Sequence, residues 1–118
     1  MQFVPAAPDL LAAIGKLLDE KVLNAVPADL QHQVRVAAHL STLIERELRL
    51  GPGNTARETE LLTGLLGESV ADPQAAVADR IRDGDDPAFE AAAWTAIVEI
   101  TRNDLAVAKP GHDAWEGE

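Results

Sequence analysis

Apolar residues recur at helical spacing through most of the chain, and the longest such stretch runs from residue 27 to residue 50. On a helical wheel drawn at about 100° per residue, its apolar side chains form one arc covering roughly half the circumference. A surface helix needs a narrower stripe, so this breadth predicts contact with two or more other helices. We therefore expect a central long helix over residues 27–50. Its apolar arc carries Leu50, Leu43, Val36, Leu40, Ile44, Ala37, Leu48, Leu30, Ser41 and Val34.

Helix start and stop signals divide the flanking sequence. The first helix opens at Pro8 and runs to about Asn24, and the turn that follows is so short that this helix should lie antiparallel to the central one. Gly51-Pro52-Gly53 predicts the end of the central helix, because glycine favours the C-cap region and proline cannot continue a helix. The capping-box pattern of residues 55–58 then predicts a short third helix that stops at Gly67.

Two Asp-Pro pairs start the remaining helices. Asp72-Pro73 opens a fourth helix that runs to Gly84, and Asp86-Pro87 opens a fifth that runs over residues 88–108. No segment shows the alternation typical of a strand. The sequence thus predicts an all-α fold, a compact bundle of about five helices around the central long helix. Residues 1–109 form a single helical domain in this interpretation, and residues 110–118 form a frayed acidic tail.

Two of the predicted helices carry an acidic residue on a face that should be buried away from water. Glu47 falls inside the apolar arc of the central helix, and Asp104 falls inside that of the fifth, with Asn103 at its edge. A lone buried carboxylate costs several kcal/mol, so we expect Glu47, Asn103 and Asp104 to form a buried polar network that fixes helix docking. Two alternatives stay open. The helix ends could bend so that both acids reach water, or the acids could line a pocket as acid/base groups or cation ligands.

The opposite face of the central helix carries a basic stripe made of Arg35, His39, Arg46 and Arg49. In a strongly acidic protein the simplest interpretation is that neighbouring Asp and Glu side chains neutralise it. Guanidinium groups also bind phosphate and carboxylate groups bidentately, so an anion site is a second interpretation. A contact with an acidic protein surface is the third.

Composition narrows the function classes. The 118 residues are 47% hydrophobic and contain no cysteine, which excludes disulfides, thiolate metal sites and cysteine nucleophiles. The net charge of −10 would repel nucleic acid and anionic membranes. The N-terminal residues contain no basic, apolar signal segment, so we expect a cytoplasmic protein. The histidines lack ligand spacing and the serines lie in no nucleophile motif, so we expect no metal, no cofactor and no catalytic residue.

Three stretches resemble a family of small bacterial all-helical domains of unknown function. They are residues 11–22, the Arg-Val-Ala-Ala-His segment at 35–39 and the segment at 45–52. Arg35, Arg46 and Glu47 match the family pattern, whereas His39 stands where the family has Asn. The family's closing pattern is changed at four positions over residues 105–112. Members of this family are encoded beside or fused to aminoglycoside-phosphotransferase-like proteins, often near acyl-CoA dehydrogenases.

These observations leave two functional hypotheses. The first is a non-enzymatic accessory or protein-interaction module that serves a phosphotransferase-like or acyl-CoA-metabolising partner, as the resemblance implies, with a homodimer as a further expectation. It predicts an exposed apolar patch and no deep polar cavity. The second is a small anionic-ligand binder or enzyme with a pocket between the second and fifth helices, which uses Arg35 and Glu47. We favour the first hypothesis because no catalytic constellation is present in the sequence.

Overall fold

A computed structural model describes residues 5–111 of the chain, and every element in this range is helical. The predicted all-α class is therefore confirmed. Most of the predicted tail, residues 112–118, lies outside the described residues. The elements are α1 (Ala7–Leu17), a π-helical segment (Leu18–Val22), the single turn α2 (Leu23–Ala25), α3 (Ala28–Leu66), α4 (Pro73–Asp83) and α5 (Pro87–Ala108).

The chain divides into two compact units, Met1–Gly51 and Pro52–Glu118. The first unit contains α1, the π-helical segment, α2 and the N-terminal part of α3. The second contains the C-terminal part of α3 together with α4 and α5. The single domain expected over residues 1–109 stays a prediction.

Helix α3 does not end at Gly51-Pro52-Gly53, so the predicted helix boundary at residue 50 is wrong. The helix continues through Pro52 to Leu66, and Gly67 follows it with a φ of +76°. Residues 55–58, predicted to start a separate helix, lie inside α3. A proline ring clashes with the Cβ of the preceding residue in a helix, and Gly51 has no Cβ, so this clash is absent. The stop predicted at Gly67 is confirmed.

Small residues let α1 and α3 approach closely in the first unit. Gly15 is buried on α1, and Ala38 and Ser41 are buried on α3. The Ser41 hydroxyl donates a hydrogen bond of 2.6 Å to the carbonyl oxygen of Leu11. An ideal Cβ on Gly15 would lie 3.2 Å from Thr42 Oγ1, which shows how little room remains at this crossing. Asp9 near the start of α1 pairs with Arg49, whereas Gly15 further along α1 lies against Ala38 and Thr42, so α3 runs in the opposite direction and the predicted antiparallel pairing is confirmed.

Leucine, valine and aromatic side chains fill the core of the second unit. Leu62 of α3, Val77 of α4, and Phe89 and Ala93 of α5 form one buried cluster. Four partly buried aliphatic residues pack against it: Leu65, Leu66, Ile81 and Ile100. This cluster joins the three helices of the unit, and it is where hydrophobic burial stabilises the second unit most.

Both Asp-Pro starts are confirmed. The Asp72 carboxylate accepts a hydrogen bond from the backbone N–H of Ala75 at 3.1 Å, at the start of α4. Asp86 accepts one from the N–H of Phe89 at 3.0 Å, at the start of α5. Each carboxylate thus satisfies one of the helix's unpaired N-terminal donors. Gly84, with a φ of +74°, follows α4 in the left-handed conformation that glycine adopts readily.

Candidate functional site

The first unit leaves a large apolar surface in water, which we call the apolar face. Its side chains come from α1 and α3, and each is between 40% and 51% exposed. A side chain buried in a helix interface would be largely covered by its neighbours. These side chains are therefore only about half covered. The apolar face consists of Leu10, Ile14, Leu17, Leu30, Val36, Leu40, Ile44, Leu48 and Leu50.

Both helices present their part of the apolar face on the same side of their contact line. On a wheel of α1, the position of Ile14 is rotated by about 100° from that of the buried Gly15, in the backward sense. On a wheel of α3, the position of Ile44 is rotated by about 60° from that of the buried Ser41, also in the backward sense, because three residues fall short of a full turn by this angle. Because antiparallel helices turn in opposite senses when seen from one end, the two isoleucines lie on one side of the hairpin. The apolar face is therefore one surface shared by the two helices.

Glu47 lies within the apolar face and is exposed. The expected burial of this side chain is wrong, because the stripe of α3 that carries it is itself uncovered. A helical wheel shows how broad the apolar arc of α3 is, but it does not show whether a neighbouring helix covers that arc. Glu47 reaches water, as one alternative expects, but not through a bent helix end, because α3 continues past it to Leu66. Whether Glu47 has a function stays a prediction.

Asp104 is also exposed, so its expected burial is wrong as well, and Asn103 is half-buried. Asn103 does contribute to packing, but through its backbone, because its carbonyl oxygen accepts a 3.0 Å hydrogen bond from Asn54 Nδ2. Sequence reasoning missed Asn54, which was placed in a loop after the predicted end of the central helix. This bond ties α3 to α5 within the second unit.

A polar groove of about 600 Å³ lies between α1 and α3, on the side of the hairpin away from the apolar face. Two members of the predicted basic stripe, Arg35 and His39, line it, whereas Glu47 is not among its lining residues. The structure therefore brings Arg35 together with α1 residues. The ionisable residues that line the groove are Lys16, Asp19, Glu20, Arg35, His39 and Glu45.

The other two members of the stripe lie elsewhere. Arg49 is paired with acids: its Nη2 lies 2.8 Å from Asp9 Oδ1, and its Nε donates to Glu45. The hydrogen bonds that Arg49 donates, first to Asp9 and then to Glu45, raise the pKa of Arg49. Arg46 is half-buried. Neutralisation by neighbouring carboxylates, the simplest interpretation of the stripe, is thus what the structure shows for Arg49.

An ion pair that the sequence analysis did not single out joins α3 and α5 in the second unit. Arg57 Nε donates to Glu99 Oε2 at 2.5 Å, and Arg57 Nη2 donates to Glu99 Oε1 at 3.0 Å. This bidentate hydrogen bonding by the guanidinium lowers the pKa of Glu99 and raises that of Arg57. Spacing along the sequence carries no signal for a contact between residues so far apart.

The described part of the chain, residues 5–111, shows neither a metal-ligand cluster nor a membrane-spanning helix. No group of three or more His, Cys, Asp or Glu side chains is arranged to hold a metal ion there. None of the helices in the same range combines the length and the apolar character that crossing a membrane requires.

Comparison with known proteins gives a family match. A family described as a domain of unknown function (DUF6285) matches residues 24–112. No curated protein and no solved structure matches the chain. The matched range begins within α2 and includes α3, α4 and α5. All four residues of the basic stripe lie in this range.

Proposed function

The chain belongs to this family of domains of unknown function, and from that premise we propose that it is a non-enzymatic protein-interaction module whose contact surface is the apolar face of the first unit. The observation that carries the proposal is the exposure of nine large aliphatic side chains on the helical hairpin formed by α1 and α3. The family description assigns no activity, so this surface is the feature that indicates a function.

The size of the apolar face supports a protein contact. Nine half-exposed aliphatic side chains leave on the order of 500–700 Å² of apolar area in water. Monomeric soluble proteins rarely expose a contiguous apolar patch larger than a few hundred Å². Covering apolar area of this size removes it from water, which favours association.

The polar groove supports the alternative function, binding of a small anion, less well. Three acids, Asp19, Glu20 and Glu45, line it beside Lys16 and Arg35, and Glu45 also accepts a hydrogen bond from Arg49. The charges of these residues therefore roughly balance, so the groove offers no excess of positive charge to a phosphate or carboxylate. Glu47, the second residue on which this alternative relied, does not line the groove.

We extend the proposal to the partner on the strength of the family resemblance. An accessory domain encoded beside phosphotransferase-like or acyl-CoA-metabolising proteins would act by binding one of them. The strongly acidic second unit favours a partner with a basic contact surface, since opposite charges steer association.

The test is co-purification of the tagged chain with each candidate partner, with the double variant Leu40→Glu/Ile44→Glu and the control Ala92→Glu beside it. Both substitutions of the double variant place a carboxylate on the apolar face, whereas Ala92 is an exposed position of α5 in the second unit. We expect the wild type and the control to retain a partner and the double variant to lose it. Equal retention by all three chains would contradict the proposal.

The anion-binding alternative has its own test. A thermal-shift titration with inorganic phosphate compares the wild type with Arg35→Ala at matched ionic strength. Our proposal predicts no phosphate-dependent rise in the unfolding midpoint of either chain. A saturable rise in the wild type that Arg35→Ala removes would favour the alternative.

A further inference from the structure

We propose that the apolar face joins two copies of this chain, so that two helical hairpins pack face to face into a four-helix bundle. The inference rests on the proposed function and deepens it: the molecule that covers the face is a second copy of the chain, and the phosphotransferase-like or acyl-CoA-metabolising partner binds the dimer elsewhere than on this face. A hairpin with one apolar side is half of such a bundle, and a two-fold axis pairs the same surface of each copy with itself.

The pattern on α3 requires more helix neighbours than the first unit supplies. An apolar arc of roughly half a wheel fits a helix that contacts two or more others. Within the described part of the first unit, α1 packs on the edge of this arc through Gly15, Ala38 and Ser41. The centre of the arc, at Leu40 and Ile44, stays close to half exposed. A second hairpin brings two more helices to this centre.

The area of the apolar face is what a stable dimer needs. A standard protein interface buries about 800 Å² on each partner, of which somewhat more than half is apolar. The exposed apolar area of the nine side chains, on the order of 500–700 Å², fits this size with a polar rim added.

The charges are divided so that association through the first unit is not opposed by repulsion. Residues 1–51 carry six acids and five bases, whereas residues 52–118 carry fourteen acids and five bases. Nearly all of the net charge of −10 therefore belongs to the second unit. Two copies that meet through their first units bring together surfaces that are close to neutral, which favours a second copy as the occupant.

Replacing Glu47 tests the proposal, because the dimer predicts the direction in which the dissociation constant changes. In the dimer this carboxylate, which lies within the apolar face, loses water on association, and replacing such a charge with an apolar group strengthens an interface. Glu47→Leu should therefore lower the dissociation constant at least threefold. The same substitution at a solvated surface position would leave the dissociation constant unchanged.

Sedimentation equilibrium of the purified full chain, with no other protein present, tests the inference. The wild type should sediment at twice 12.6 kDa, as should the control Ala92→Glu. Leu40→Glu/Ile44→Glu should dissociate at least about 100-fold more readily, since two charges then enter the interface. A monomeric wild type overturns the inference, and so does a dimer that the double variant leaves intact.

Cysteine crosslinking keeps the test decisive if the double variant fails to fold. The chain contains no cysteine, so single variants report one position each. Oxidation of Val36→Cys, Leu40→Cys or Ile44→Cys should give a covalent dimer at one position or more, and Ala92→Cys should give none. Crosslinking at Ala92 alone overturns the inference.

Failure of this inference differs from failure of the proposed function. A monomeric chain whose co-purification with a partner still depends on the apolar face overturns the dimer alone. A chain in which neither self-association nor partner retention depends on the apolar face overturns both.

Discussion

Gly15 sets how closely α1 and α3 approach in the first unit. It is the buried glycine of α1, and it faces Thr42 and the backbone oxygen of Ala38, with 3.2 Å and 3.5 Å left for a Cβ. A hydrophobic pattern could not reveal this position, because glycine contributes nothing to an apolar arc and reads in the sequence as a weak point of the helix. Its role follows from the neighbouring helix.

Gly15→Leu should destabilise the chain by about 1–3 kcal/mol, because a leucine side chain would force the two helices apart. Gly64→Leu is the matched control, since Gly64 is also in a helix but has nothing within 4 Å of an ideal Cβ. The control should be neutral or stabilising, because leucine is the better helix former. Urea unfolding measures both free energies, and equal effects would contradict the packing described at Gly15.

The ion pair of Arg57 and Glu99 should make the second unit sensitive to acid. The pKa of Glu99 is lower in the folded chain than in the unfolded chain, because Arg57 donates two hydrogen bonds to its carboxylate. The stabilisation is therefore fully present above the ordinary pKa of a glutamate and is lost as the pH falls through the lowered value. A double-mutant cycle with Arg57→Gln and Glu99→Gln, measured by urea unfolding, should show coupling at pH 7 that is lost as the pH falls through the lowered pKa of Glu99. Coupling that is unchanged across this range would contradict the charged pair.

Helix α3 shows what local signals do and do not determine at the scale of an element. The caps at Asp72 and Asp86 were predicted correctly, because each is a local event in which a side chain bonds to a backbone group three residues ahead. Gly51-Pro52-Gly53 gave a strong stop signal, yet the helix continues. Tertiary contacts beyond the proline, such as the Asn54 bond to the Asn103 carbonyl, favour the helical backbone there.

Pro52→Ala should stabilise the chain by about 1–3 kcal/mol. An alanine restores the backbone donor that proline lacks and removes the clash of its ring with the preceding turn. Pro73→Ala is the matched control, because a proline in the first turn of α4 is favourable and its replacement should be neutral or slightly destabilising. Thermal unfolding followed by circular dichroism measures both. Destabilisation by Pro52→Ala would show that α3 is broken at this residue.

At the scale of the whole molecule, the fold class was predictable and the site was predictable only in part. Helical periodicity predicted most of the helical residues, except those at the break expected over residues 51–54, and the same wheel identified most of the side chains of the apolar face. It could not tell an arc that faces the chain's own core from one that faces a partner, which is why Glu47 was expected to be buried. Arg35 and His39 were correctly placed on one face, but their groove-lining neighbours on α1 depend on how the helices pack.

The net charge of the chain is divided unequally between its two units, and a dimer would therefore carry its negative charge on the second units. A dimer joined through the nearly neutral first units carries two strongly acidic second units, each with nearly all of its chain's net charge. Such an assembly would present two equivalent acidic surfaces to a basic partner, and binding at both would exceed the affinity of either alone.

Thermal unfolding as a function of protein concentration tests most directly whether the apolar face is covered by a second copy. If two chains unfold together, the unfolding midpoint of the wild type rises as the concentration is raised from micromolar to hundreds of micromolar. The midpoint of Leu40→Glu/Ile44→Glu should lie lower and stay constant over the same range. A wild-type midpoint that does not change with concentration would contradict the account.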